Sequence, residues 1–243
     1  MKLQIVAATG NENKVREIRE ILDDSRLCVI SMQQAGIQSN PEENGTSFEE
    51  NAKIKAREAA KALFCSGQKE KFNEEARQKQ LETDSLFDPH LPTAVLADDS
   101  GLVIDALGGA PGIYSARYLG RDTDYHDKMN SIMDEMKDLQ GKDRSARFTC
   151  ACAAIVPSKW IVGENLGDES PVEGCREFVV VRSMEGEIGT KILGDNGFGY
   201  DPFFYLPDRH KTSAQLTEEE KNGISHRGKA FRAMKDLLFG VMS

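Results

Sequence analysis

Two adjacent carboxylates are the clearest candidates for chemistry in this chain. Asp98 and Asp99 come directly after the apolar run 95–97 and are followed by Ser100 and Gly101. Neighbouring like charges repel and cost free energy when they lose water, so either they cap a hairpin in solvent or a cation holds them. Carboxylate oxygens suit a hard cation, and Mg²⁺ is the ion expected here. Their place at the end of an apolar strand favours the cation, because α/β active sites commonly lie there.

Two other polar segments could join this pair. Residues 8–18, ATGNENKVREI, predict a strand, a Gly-Asn turn and a helix with Lys14 in its first turn. Helix N–H groups and a lysine attract anions, although an ordinary turn with a solvated lysine explains this segment better on its own. Glu42 and Glu43 precede a capped helix, and either can add a third carboxylate. Lys53 and Arg57 on that helix are interpreted as solvated side chains.

The C-terminal third holds an aromatic loop and a basic helix start. Residues 195–204, DNGFGYDPFF, carry aromatic side chains that either stack on a flat base or fill a small core, and neither reading is favoured. Residues 218–234 gather Lys221, His226, Arg227 and Lys229. A solvated basic face is the plain alternative, but Ser-His-Arg-Gly at a helix N-cap would bring several hydrogen-bond donors together.

Strand and helix signals alternate along the chain, which predicts an α/β or mixed α+β fold with a mixed sheet. Strands are predicted over 3–8, 27–31, 94–97, 102–105, 147–156 and 177–184. Helices are predicted over about 12–23, after the Ser47 and Thr217 capping boxes, over 123–139 and after Ser225. The highly charged segment 66–92 is interpreted as an insertion in one domain spanning 1–243, helical to about Leu86 and then broken by prolines.

Composition excludes several classes of protein. A formal net charge of −9 argues against broad electrostatic binding to nucleic acid. No apolar run approaches the ~20 residues that a membrane-spanning helix requires. The five cysteines are odd in number and show no paired spacing, which predicts reduced thiols in a cytoplasmic protein.

Taken together and in this order, the motifs resemble the inosine triphosphate pyrophosphatases, a family of non-standard purine nucleoside triphosphate pyrophosphohydrolases. The resemblance extends from residue 7 to the C-terminal helix, and its most specific part is DDSGLVIDALGGAPGIYSARY. The other matching segments are ATGNENKVREI, SFEENAKIKAREAA, RSARFTC, GFGYDPFF and SHRGKA. The chain departs from the family's pattern in segment 66–92 and at EENGTS, where the family tends to have Glu-Glu-Thr-Gly-x-Thr.

The resemblance implies both a fold and an activity. It implies an elongated, two-lobed mixed α/β structure with a long central sheet and a cleft between the lobes, usually a homodimer. It also implies Mg²⁺-dependent hydrolysis of ITP, dITP and XTP to the monophosphate and pyrophosphate. Such an enzyme removes damaged nucleotides from the pool.

The same resemblance assigns roles by position. Asp99 is the metal-binding acid and general base, with Asp98 beside it and Glu42 as the expected extra acid. The triphosphate is expected on Thr9, Gly10, Asn11, Glu12, Asn13 and Lys14, with Lys55 as a further phosphate contact. The nucleoside is expected on Ser100, Phe198, Gly199, Tyr200 and Asp201, and its base and phosphates also on Lys221, His226 and Arg227.

Two alternatives stay open at this point. One is a pyrophosphatase of similar fold that acts on modified pyrimidine nucleotides, although the GFGYDP and SHRG segments speak against it. The other is a nucleotide-binding protein without turnover, with segment 66–92 as a partner-binding arm, although Asp98, Asp99 and Lys14 disfavour it.

Overall fold

The structure is a computed structural model that describes residues 2–65 and 87–242. Within them the strands are β1 Leu3–Ala7, β2 Leu27–Ser31, β3 Thr93–Ile104, β4 Ser145–Pro157, β5 Asp168–Glu169, β6 Cys175–Ile188, β7 Phe204–Leu206 and β8 Lys211–Thr212. The helices are α1 Glu12–Ile21, α2 Phe48–Phe64, α3 Tyr125–Glu135, α4 Glu218–Ile224 and α5 His226–Val241. The helix predicted up to Leu86 lies outside the described residues.

The strands form one mixed sheet, as the sequence predicts. Its order is β2-β1-β3-β4-β6-β7-β8, with β5 paired to β6. β1 runs parallel to both β2 and β3, whereas the β5–β6, β6–β7 and β7–β8 pairs are antiparallel. The three shortest strands, β5, β7 and β8, were not predicted, because two or three residues carry no readable alternation.

The chain divides into two compact units. Unit 1 comprises residues 1–99, 151–180 and 230–243, and unit 2 comprises residues 100–150 and 181–229. In unit 1, β1 is buried along its whole length, and the central alanines of α2 have no exposed surface. In unit 2, a continuous apolar core contains Phe148, Phe203 and Phe204.

The start of each predicted helix is set by side chains near it. Ser47 accepts the Glu50 N–H with its hydroxyl, and Thr217 and Glu220 form a complete capping box. The carboxylate of Glu50 instead accepts from Thr46 N–H at 2.6 Å. The helix predicted over 123–139 is shorter, because the Asp124 side chain accepts the His126 N–H and starts α3 at Tyr125. None of the described helices is long and apolar enough to cross a membrane.

One strand is longer than predicted. Residues 94–97 and 102–105 were expected to be separate strands, but β3 runs unbroken from Thr93 to Ile104. Asp98 and Asp99 therefore do not cap a hairpin in solvent. They lie in the middle of a strand with only 5% and 9% of their surface exposed. Water therefore screens little of their charge, and other groups of the protein must compensate it.

Candidate functional site

The topology of unit 1 explains where the two carboxylates lie. The chain passes from β1 through α1 to β2 on one side, and then through α2 to β3 on the other side. The boundary between β1 and β3 is thus a topological switch point, where α/β proteins place their sites. The Ala8 N–H donates to Leu96 O at 2.7 Å. The end of β1 therefore lies beside Leu96, two residues before Asp98 on β3.

Each carboxylate meets a different helix. Successive strand residues point to opposite faces, which directs the two side chains apart. Lys14 Nζ of α1 lies 3.5 Å from Asp98 Oδ1. On α2, Lys55 Nζ lies 3.3 Å from Asp99 Oδ1, and Asn51 Nδ2 donates to Asp99 Oδ2 at 3.1 Å. Each of the two like charges therefore has a lysine close to it, Lys14 for Asp98 and Lys55 for Asp99.

A second acid completes the contacts of Lys55. Its ammonium lies 3.3 Å from Glu43 Oε1 as well as from Asp99. Burial acts to lower the pKa of Lys55, but the charges of Asp99, Asp98 and Glu43 outweigh it, so the pKa is raised and the amine stays protonated. Burial raises the pKa of Asp99 above its usual value, although Lys55 and Asn51 oppose that rise.

The extra acid was predicted to be Glu42, and the structure places Glu43 there instead. Glu42 is exposed, whereas Glu43 is half-buried and contacts Lys55. Which of two adjacent loop carboxylates turns inward depends on the loop backbone, and the residue types alone do not indicate it. The predicted trio of Asp98, Asp99 and Glu42 is not assembled. Residues 2–65 and 87–242 contain no group of three His, Cys, Asp or Glu side chains that could hold a metal.

The donor chemistry nevertheless fits Mg²⁺. Asp99 and Glu43 present hard oxygen donors around one position that already accepts a cation, the Lys55 ammonium. Mg²⁺ in proteins is usually bound through one or two carboxylates, with substrate phosphates and water as its other ligands. Two protein carboxylates are therefore a sufficient set for this ion.

The predicted phosphate loop lies beside this cluster in unit 1. Asn11 is the N-cap of α1, and its side chain accepts the N–H groups of Asn13 at 3.0 Å and Lys14 at 3.3 Å. Two of the amides expected to bind phosphate are thus already hydrogen-bonded. Gly10 faces open space, since nothing lies within 4 Å of where a side chain would begin. The loop therefore has open space at Gly10 and a positive charge at Lys14, and the hydrogen bonds of the Asn11 side chain fix its backbone.

Unit 2 contains the aromatic loop and the basic helix start. Phe198 is 58% exposed, and both Lys221 Nζ, at 5.2 Å, and Arg227 Cζ, at 5.3 Å, lie near its ring centroid. These distances are those of cation–π contacts. An exposed ring beside two cations is suited to stack on a base and to attract a negatively charged ligand.

Asp201 holds this arrangement together. Its Oδ2 accepts the Phe198 N–H at 2.9 Å and contacts Lys221 Nζ at 2.6 Å. Gly197 has φ +78°, and a Cβ there would collide with this same oxygen. The loop therefore requires glycine at 197, and Asp201 fixes both the ring and the lysine beside it.

Tyr200, predicted in the nucleoside pocket, is instead a core residue. Its hydroxyl donates to Ser115 O at 3.0 Å, and its ring packs against Tyr125 and Phe203. His226 is also buried and stacks on Phe148 at 5.0 Å. Of the two aromatic side chains, Tyr200 therefore fills the core, whereas Phe198 faces solvent, where stacking on a base stays a prediction.

Two features of α2 were missed or misread from sequence. Asn51 was not identified, although its spacing of four residues from Lys55 puts both on one helix face. Lys53 and Arg57 were interpreted as solvated, but both bind the buried carboxylate of Glu177 on β6. Only the distant strand supplies that partner, so no local signal was available.

Comparison with known proteins shows which proteins this chain is similar to. The Ham1 family model matches residues 5–237. The chain is 38% identical over 235 residues to a dITP/XTP pyrophosphatase of Escherichia coli, covering 97% of this chain and 98% of the relative. It is 36% identical over 239 residues to one of Clostridium perfringens, covering 98% of both. A solved HAM1 protein from Coxiella burnetii aligns at a TM-score of 0.71 with 33% identity, covering 98% of this chain and 99% of that one.

Proposed function

Because this chain belongs to the Ham1 family, we propose that it hydrolyses non-standard purine nucleoside triphosphates, namely dITP, XTP and ITP, to the monophosphate and pyrophosphate. Two relatives of nearly equal length are named dITP/XTP pyrophosphatases. The observation that carries the proposal is the pairing of each β3 carboxylate with a lysine, Asp98 with Lys14 and Asp99 with Lys55, at the switch point of the sheet. Acids and lysines so arranged suit phosphoryl transfer.

The residues of unit 1 have distinct parts in this proposal. Lys14 and Lys55 supply positive charge to the triphosphate. Asp99, whose pKa burial raises, orients a water molecule towards the α-phosphorus and accepts its proton. Asn51 fixes the direction of that carboxylate. Catalysis then depends mainly on positioning and electrostatic stabilisation.

Mg²⁺ is part of the proposal, and Asp99 with Glu43 are the residues that would hold it. When bound, the ion neutralises phosphate charge and acidifies a water molecule. Asp98 contacts Lys14 and is not one of the proposed direct ligands of the metal ion. A homodimeric assembly stays a prediction from the family resemblance, and a cytoplasmic location stays a prediction from the unpaired cysteines.

Base selection is assigned to unit 2. Phe198 stacks on the base, and donors near Arg227 meet the 6-oxo group of hypoxanthine or xanthine. Adenine presents an amino group at that position, so the same donors would be left unpaired. A site built on hydrogen bonds can reject such a mismatch by up to ~10⁴-fold.

A substrate panel tests the proposal. Pyrophosphate release is measured from dITP, XTP, ITP, ATP and modified pyrimidine triphosphates, each with Mg²⁺ and with a chelator. We expect release from the first three substrates, only with Mg²⁺, and a much lower kcat/KM for ATP. Equal kcat/KM for ATP and ITP would contradict the base assignment. Binding of ITP with no release at micromolar enzyme would instead favour the non-hydrolysing protein.

A further inference from the structure

Helix α2 carries two pairs of polar side chains, and each pair converges on one carboxylate. Asn51 and Lys55, four residues apart, both contact Asp99 on β3. Lys53 and Arg57, also four residues apart, both contact Glu177 on β6. Residues four apart lie on the same face of a helix. Because the second pair is shifted by two residues along the helix, it lies on a different face from the first pair. Two carboxylates from different strands therefore hold α2 on two faces.

The contact with Glu177 has a well-defined geometry. Arg57 binds both carboxylate oxygens, with Nε at 2.9 Å from Oε2 and Nη2 at 2.8 Å from Oε1, and Lys53 Nζ lies 3.1 Å from Oε1. Glu177 is only 3% exposed. Burial acts to raise its pKa, but the hydrogen bonds and charges of Arg57 and Lys53 outweigh burial and lower it. A two-pronged arginine–carboxylate contact constrains direction as well as distance.

The apolar face of α2 consists mainly of small side chains. Its fully buried apolar residues are four alanines, at positions 52, 56, 59 and 60, and a single large side chain, Leu63. Side-chain ridges fix how a helix packs, and alanines make shallow ridges. Such a face leaves part of the rotation of α2, and with it the reach of Asn51 and Lys55 towards Asp99, to the polar contacts of the helix. Fixing register is the best-attested use of a buried ionic contact.

We infer that Glu177 is a positioning residue for the Asp99 site, acting through Lys53, Arg57 and helix α2. The inference rests on the proposed function, since it treats Asp99 as the general base. Glu177 orders the helix that carries the partners of Asp99, and the two carboxylates are linked through a single rigid element.

The kinetic test compares Glu177→Gln with Glu169→Gln. The side chain of Glu169 on the neighbouring strand β5 is 90% exposed, and its one ion pair within residues 2–65 and 87–242 is a long contact of 3.7 Å with Arg176, so the same chemical change there is a matched control. With dITP and Mg²⁺, we expect E177Q to lower kcat about 10- to 100-fold while KM changes less than about threefold, because misplaced groups impair the chemical step. E169Q should match the wild type in both constants.

A measurement without substrate keeps this test independent of the proposed function. The side-chain amide of Asn51 donates to Asp99, so its ¹⁵N-detected signal, assigned by its loss in Asn51→Ala, reports on the contact directly. We expect this signal to shift and its protons to exchange faster in E177Q, and to stay unchanged in E169Q. If the wild type releases no pyrophosphate, the proposed function fails, yet this signal still decides whether Glu177 positions the site.

A purely structural role predicts a different outcome. A lower Tm for E177Q with normal kcat and an unchanged Asn51 signal would overturn the inference. If E177Q does not fold, Arg57→Lys replaces it, because lysine keeps the charge but loses the two-pronged contact. The same kcat loss and signal shift, smaller in size, are then expected, and normal values of both would equally overturn the inference.

Discussion

Asn51 links the loop before α2 to the carboxylate in β3. Its Nδ2 donates to Asp99 Oδ2 at 3.1 Å, while its Oδ1 accepts the Gly45 N–H at 2.9 Å. The side chain is fully buried, and a Cβ on Gly45 would lie 2.7 Å from Asn51 Oδ1. The amide is thus held from one side so that it can orient Asp99 from the other.

Removing this amide should impair turnover more than folding. We expect Asn51→Ala to lower kcat about 10- to 100-fold, the usual effect of losing a group that orients a reacting carboxylate. Steady-state kinetics with dITP measure this, and Asn130→Ala on α3 is the matched control, since Asn130 is exposed and contacts only His126 in the described structure. Full activity of N51A would show that Asp99 needs no such support.

The charge of Asp99 is the property that the mechanism requires. Asp99→Asn keeps the shape of the side chain but removes the proton acceptor, so we expect kcat to fall about 10²- to 10⁴-fold. Thermal unfolding should show that the protein stays folded. Asp105→Asn, just after β3, removes an exposed acid paired with Arg147 and should leave kcat unchanged. Near-normal turnover of ITP by D99N would defeat the assignment of Asp99 as the base.

The exposed ring of Phe198 is expected to bind the base by stacking. Stacking of a base on an aromatic side chain contributes about 1–3 kcal/mol, so Phe198→Ala should raise KM for ITP between about fivefold and 100-fold. Since Phe198 is assigned to the base and has no part in the phosphate chemistry assigned to Asp99, kcat should change little. Leu193→Ala, which also truncates an exposed apolar residue of unit 2, serves as the control. An unchanged KM in F198A would exclude stacking at this residue.

A feature of this site could be predicted from the sequence where the residues that determine it lie close together along the chain. The mixed fold and the Ser47 cap could be predicted, the cap from nearby residues, whereas the sequence left open whether the aromatic side chains of 195–204 are exposed or buried. Glu43 in place of Glu42 depends on which way a loop residue turns. The contact of Arg57 with Glu177 joins residues 120 positions apart, and only the pairing order of the strands brings them together.

The continuity of β3 shows a second limit of prediction. Asp, Ser and Gly favour turns, so the sequence predicted a break between 97 and 102. The strand continues because Lys14 and Lys55 compensate the two carboxylates, and those lysines come from helices that precede β3 by many residues. Tertiary contacts here override local preference, as they commonly do in sheets.

Asp24 should make the stability of the fold depend on acid pH. Its Oδ1 accepts from Arg26 Nε at 3.0 Å and from Arg26 N–H at 3.0 Å, and its Oδ2 contacts Arg26 Nη2 at 2.7 Å. These hydrogen bonds hold the pKa of Asp24 well below its ordinary value, against a smaller opposing effect of burial. An acid with a lowered pKa in the folded state binds protons more readily when unfolded. Its stabilising effect is therefore fully present above the unfolded value of about 3.9 and is lost as the pH falls below it.

The difference in Tm between the wild type and Asp24→Asn measures this effect. We expect the wild type to have the higher Tm between pH 7 and pH 5, by a constant margin, because Asp24 stays ionised in both the folded and unfolded states there. The margin should shrink as the pH falls below about 4, where the unfolded chain takes up a proton that the folded protein resists. Asp138→Asn, an exposed aspartate after α3, is the matched control and should show no margin that changes with pH. A margin for D24N that stays constant down to pH 2 would show that the contacts with Arg26 do not couple folding to protonation.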